Sequence, residues 1–159
     1  MRFKLKIKFV ITLLLSFLLV SCTKKEPSPY IPYLSISELM QWVIDPAADR
    51  IWDSVAWYST LKGEKMVAPH SQADWDELRN SAATLMDASN LLMIDQRAKD
   101  NGAWNTYARA LGLEAKKTLS AVQAKDVQAV FDTGTAIDAA CEACHQKYAY
   151  FGTNGSDKH

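Results

Sequence analysis

Strand signals are nearly absent from this chain of 159 residues. No run of β-branched residues alternates with polar ones, and no Asn-Gly pair stands between two such runs, so little is available to build a sheet. A membrane-spanning run is lacking too. The uncharged stretch from Phe9 to Ser21 is shorter than the roughly 20 apolar residues a spanning helix needs, and no later segment is apolar enough. The chain has no basic excess: 18 Lys and Arg face 18 Asp and Glu, which speaks against nucleic acid as a partner. No Ser-His-Asp set, phosphate loop or metal-binding carboxylate cluster appears. Asp45, Asp49 and Asp53 recur every four residues and read as the solvated edge of a helix. No enzymatic activity is expected. Cysteine is scarce, with three residues, Cys22, Cys141 and Cys144.

What is present begins with an export signal. Arg2, Lys4, Lys6 and Lys8 precede the uncharged run, so residues 1–21 read as a secretory signal peptide. Their removal leaves 14 basic against 18 acidic side chains, a balance of −4. The end of the signal, Leu19-Val20-Ser21-Cys22, resembles the lipobox of bacterial lipoproteins, which implies that Cys22 is lipidated and begins the mature chain. Residues 22–34, with three prolines and no helical period, read as a polar tether. One soluble domain is expected over 35–151, followed by a tail at 152–159.

Within that domain apolar residues recur at helical spacing in four segments. The first, "SISELMQWVIDPAADRIWDSVAWYS", opens on a capping box of Ser35 with Glu38 and carries Ile36, Met40, Val43, Ala47, Ile51, Val55 and Tyr58 on one stripe. Pro46 predicts a kink there, or a restart with Asp45 as cap. The second runs from near Ser71 to near Arg97, with Trp75, Leu78, Ala82, Met86 and Met93 on one face. After "KDNG" a third carries Trp104, Tyr107, Ala108, Leu111, Ala115, Leu119 and Val122, and a fourth begins on Asp126 as N-cap with Val127, Val130 and Ile137. The fold class expected is all-α, an antiparallel up-down four-helix bundle, with Leu61 to His70 as its longest loop.

The fourth stripe runs into "CEACH". At about 100° per residue, Cys144 lies about 60° to one side of Cys141 and His145 about 40° to the other, so all three face inward along the stripe of Val130, Gly134, Ile137 and Tyr148. Gly134 predicts a gap where something flat could approach the backbone. A thioredoxin-like redox pair would sit at the end of a strand before a helix, a setting that is missing here. Structural zinc would need a fourth ligand. Haem meets the geometry: two thiols can form thioethers on one edge of the porphyrin while the adjacent imidazole reaches the iron.

A four-helix pattern with its Cys-X-X-Cys-His near the C-terminus resembles the class II cytochromes c, cytochrome c′ and the cytochromes c556. The likeness spans about residues 35–151 and rests on "CEACHQKY" and the "ELM" of the first helix. It implies one covalent haem c bound near the C-terminal helix, with Cys141 and Cys144 as thioether residues and His145 as proximal ligand. In c556 members a methionine of the first helix is the sixth ligand, matched here by Met40. In cytochromes c′ an apolar residue leaves the iron open to small gases such as NO or CO. Rivals to Met40 are Met66, Met86, Met93 and His70. The basic residue usual four positions after the histidine is replaced by Ala149, with Lys147 the nearest cation.

The resemblance implies single-electron transfer with redox partners unknown, or a gas-binding protein as the alternative. The location expected is a lipid anchor on a bacterial membrane, facing the periplasm, with Thr23 favouring the outer membrane. Trp42 and Trp52, off the main stripe of the first helix, are candidates for a homodimer face.

Overall fold

The computed structural model describes residues 29–100 and 102–150, with the side chain of Tyr150 left aside. The signal peptide, Cys22 and the tail at 152–159 lie outside the described residues. The chain is mostly helical, with four helices and a small two-stranded sheet. Helix α1 spans 36–54 and has three parts: an α-helical turn Ile36–Leu39, a π-helical turn Met40–Ile44 and an α-helix Asp45–Ser54. Strands β1 (Ala56–Thr60) and β2 (Gly63–Val67) follow, then α2 (Gln72–Leu92), α3 (Ala103–Ala124) and α4 (Val127–His145), which continues into a π-helical turn Gln146–Tyr150. Helix α2 packs on α3, α3 on α4, and α1 on both α2 and α4. Among the described residues no helix is long and apolar enough to cross a membrane.

Local chemistry starts the helices as expected. Ser35 accepts the N–H of Glu38, whose carboxylate accepts the N–H of Ser35 at 2.8 Å. Ser71 forms the same box with Asp74, and Asp126 caps α4 by accepting the N–H of Ala129 at 3.0 Å. Lys125, in the left-handed region at φ 54°, closes α3. Helix α2 stops at Leu92, short of Arg97. That arginine is 6% exposed, and its Nη2 and Nε donate to the carbonyl of Leu34 at 2.7 and 3.2 Å while Nη1 donates to that of Leu91 at 3.1 Å. The core is a seam of Leu39, Ile44 and Ile51 from α1, Leu78 and Leu85 from α2, and Val130 and Ile137 from α4.

Several expectations are corrected. Asp45 does not cap a restarted helix: Ile44 and Asp45 both hold right-handed helical angles, and the chain continues through the proline. Pro46 has no N–H to offer the carbonyl of Trp42, and its ring would crowd that carbonyl. The π turn, in which the Asp45 N–H bonds the Met40 carbonyl, opens the backbone at this point. The first helix also ends at Ser54, because Val55 turns extended at φ −141°.

The mostly helical fold therefore also carries a small two-stranded sheet. Ala56 pairs with Val67, Trp57 with Met66 and Thr60 with Gly63 in an antiparallel hairpin closed by Leu61 and Lys62. Gly63 at φ +113° supplies a conformation that other residues adopt only with strain. Tyr58, expected on the buried stripe, stands exposed on this hairpin, and the loop expected from Leu61 to His70 is partly strand.

The gap at Gly134 is filled by the protein itself. The indole Nε1 of Trp52 donates to the Gly134 carbonyl at 2.9 Å, and a Cβ on Gly134 would lie 3.4 Å from Trp52 Cδ1. Trp52 is thus half-buried against α4 instead of lying on an outer face, whereas Trp42 is 58% exposed.

Substitution of Gly134 tests this contact. Gly134→Ala adds an atom at ordinary contact distance and improves helix propensity, so stability should hold or rise by up to about 1 kcal/mol. Gly134→Leu must displace the indole and should cost roughly 1–3 kcal/mol by urea unfolding. A leucine variant as stable as the parent would remove Trp52 from this role.

Candidate functional site

The start of α1, the end of α2, the start of α3 and the end of α4 meet around one small cavity of about 30 Å³, open to solvent at one side. Its reactive lining comes from opposite ends of the chain: Met40 and Asp45 from α1, and Cys141, Cys144 and His145 from α4. Ile44, Leu92, Trp104 and Leu111 supply apolar walls, and Ala108 and Ala140 keep two of those walls low. The three motif residues and Met40 are therefore brought together. The rivals are not. Met66 is half exposed on β2, Met86 and Met93 line a separate groove beside Gly112, and His70 lies before α2 with its backbone N–H on Asp74.

Asp45 is the cavity residue that its sequence pattern hides. Counted as regular helix it lies about 140° round from Met40, on the edge shared with Asp49 and Asp53. The π turn brings it back over Met40, so both line the cavity. Burial pushes the Asp45 carboxyl above its usual range, and the nearby His145 partly offsets the shift. Pro46, six residues after Met40 inside the helical run, was the available signal, since an interior proline favours a local widening of the helix.

Both motif cysteines are free thiols. Burial pushes Cys141 up to about 11, with the acids Asp138 and Asp45 and the neighbouring Cys144 adding to the shift, and burial raises Cys144 as well. An attacking redox cysteine is tuned the other way, toward the thiolate, so this pair is poorly suited to disulfide exchange. Among the described residues no three His, Cys, Asp or Glu side chains come together as a set that could hold a bare metal ion.

Two thiols, an imidazole and a thioether sulfur share one cavity with otherwise mainly apolar walls, the donor types a covalently held haem uses. The pocket demands apolar surface with a few placed polar groups, and this lining meets that demand.

One wall is secured from behind. Trp104 donates its Nε1–H to the Leu92 carbonyl at 2.7 Å, and Tyr148, one turn past the motif, packs edge-on against Trp104 with ring centroids 4.9 Å apart. The Tyr148 hydroxyl donates to the Asp100 carboxylate, which also accepts the backbone N–H of Gly102 at 2.8 Å and of Trp104 at 3.0 Å. Lys147 lies 5.4 Å over the Tyr148 ring. One carboxylate thus caps α3 and holds the last turn of the motif helix.

Comparison with known proteins yields no match to a family model, a curated protein or a solved structure.

The Tyr148 hydroxyl, with the N–H groups of Trp104 and Gly102, lowers the Asp100 carboxyl to about 2. The folded value lies below the unfolded one of about 3.9, so this contribution is complete above that value and fades as pH falls toward 2. Asp100→Asn should therefore lower Tm at neutral pH, and the deficit should shrink to almost nothing near pH 2. A deficit that stays constant across that range would show that the charge of Asp100 plays no part.

Proposed function

We propose that this chain is an exported, monohaem c-type cytochrome that passes single electrons, with its helices forming an antiparallel up-down bundle around the cofactor. The observation that carries the reading is that Met40 and the Cys141, Cys144 and His145 triad line the same cavity. A haem bound there supplies a one-electron ferric–ferrous couple. Cys141 and Cys144 hold it through thioethers. Each thiol would add across a vinyl group, sulfur bonding one carbon and hydrogen the other, an addition that needs no external oxidant.

His145 would hold the iron through its imidazole and Met40 through its thioether sulfur, and a methionine–histidine pair would raise the reduction potential and close the iron to gases. Ile44, Leu92, Trp104 and Leu111 line the cavity with apolar surface, which would favour the less charged ferrous state. The alternative, an open iron that binds NO or CO, differs only in whether Met40 reaches the metal. The likeness to class II cytochromes c, the lipid anchor on Cys22 and the periplasmic location belong to the same proposal. So does a homodimer, for which the exposed Trp42 remains available.

The visible spectrum decides among these. Produced with the c-haem maturation machinery, the protein should be low-spin in both oxidation states and indifferent to carbon monoxide. Met40→Ala should turn it high-spin and responsive to the gas. A high-spin parent that shifts with carbon monoxide would move the function to gas binding, an unchanged Met40→Ala spectrum would remove that ligand, and a colourless protein would overturn the haem reading.

A further inference from the structure

The segment that leads into α1 exposes more apolar surface than a tether requires. Tyr30 is 67% exposed, Ile31 68% and Tyr33 89%, and Leu91, at the end of α2, is 41% exposed. The segment is fastened to the domain. Gln96 donates to the Tyr30 carbonyl at 3.3 Å, and the buried guanidinium of Arg97 joins the carbonyls of Leu34 and Leu91, so the backbones at Leu34 and Leu91 share one cation. Tyr33 and Leu91 therefore belong to one end of the molecule. It is also the end where Met40, Leu92, Trp104 and His145 surround the cavity.

We propose that this end of the domain docks on a phospholipid bilayer, with Tyr30, Ile31 and Tyr33 in the headgroup layer. The inference rests on the lipid-anchor reading of Cys22. Eight peptide steps separate Cys22 from Tyr30, a reach of at most about 28 Å when fully extended. An acylated Cys22 therefore keeps the aromatic segment within one short span of the surface, and Lys24 and Lys25 inside that span favour anionic lipids. Tyrosine suits the layer between hydrocarbon and water, because its ring is apolar and its hydroxyl is wet. A bilayer contact beside the anchor adds apolar burial to the attachment and fixes how the domain is turned toward the surface.

The far end of the molecule has different neighbours. Helix α1 is about 28 Å long at 1.5 Å per residue, and the hairpin with its exposed Tyr58 lies beyond its other end. Docking by Tyr30 and Tyr33 thus places the cavity end toward the membrane and the hairpin away from it. A redox partner would meet the cavity close to the bilayer surface.

Hydroxyl-radical footprinting of the full mature chain tests this, with mass spectrometry reading the anchor and the oxidised side chains together. The acylated protein in vesicles of phosphatidylethanolamine with phosphatidylglycerol is compared with the unacylated Cys22→Ser chain in solution. Oxidation of Tyr30 and Tyr33 should fall at least about five-fold in the vesicles, while Tyr58 stays unchanged and serves as the internal control. Equal oxidation of all three tyrosines in the two samples would overturn the docking while leaving the anchor intact. Protection of Tyr30 and Tyr33 already present in the unacylated chain would give this face to a second copy and overturn the bilayer as occupant. A parent chain lacking the acyl mass would overturn the anchor reading and, with it, the reach on which the docking depends.

Discussion

A missing hydrogen-bond donor organises the end of the molecule where the cavity lies. Pro46 cannot satisfy the carbonyl of Trp42, and an ordinary helical turn would press its ring against that carbonyl. The backbone responds by widening one turn, so that the Asp45 N–H bonds back to Met40. That widening does not break α1. It changes which residues share a face: Ile44 enters the core, and Met40 and Asp45 both turn toward α4. A methionine, a carboxylate and the Cys141–His145 motif then border one space, though they come from opposite ends of the chain. Wide turns of this kind recur at functional sites because they re-aim side chains without ending the helix.

The chemistry of that space follows from its surroundings more than from the residue types alone. Two cysteines three residues apart could serve disulfide exchange, metal binding or covalent attachment, and each requires a different proton state. Burial and nearby carboxylates keep Cys141 protonated, the reverse of what positions an exchange cysteine. His145 lies close enough to Asp45 to lower that carboxyl against the effect of burial. The acid shares the cavity lining with mainly apolar side chains.

Much of this was legible in the sequence where the signal is local. Ser35 with Glu38, Ser71 and Asp126 mark helix starts because a cap needs only its own next three residues. The spacing of Cys141, Cys144 and His145 is legible for the same reason. The hairpin was hidden because Ile51, Val55 and Tyr58 continue a helical spacing although the backbone has already turned extended at Val55. Its strands are almost wholly exposed, so no alternation of buried and polar residues announces them. Thr60 and Gly63 flanking a two-residue turn were the available hint. The fit of Trp52 into Gly134 is a contact between distant segments, and no local pattern encodes it. Asp45 was hidden by the regular period itself, since counting in steps of 100° fails across a π turn.

The two ends of the molecule are held together by different means, and this bears on what each can do. At the hairpin end the strands lie open to solvent, with Trp57 packed edge-on against Phe131. At the cavity end polar side chains bond to backbone that would otherwise be orphaned. Arg97 and Trp104 take the carbonyls of Leu91 and Leu92 in the last turn of α2, and Asp100 takes two N–H groups at the start of α3. The cation of Arg97 also complements the negative end of that helix dipole. Tyr148 then ties the turn after the motif to the same carboxylate. These bonds belong to the protein alone, so the cavity walls at Leu92 and Trp104 and the helix end that carries His145 are fixed by side-chain clamps around the site. A site whose lining comes from four separate helix ends requires such fastening, because no local turn could hold them in register.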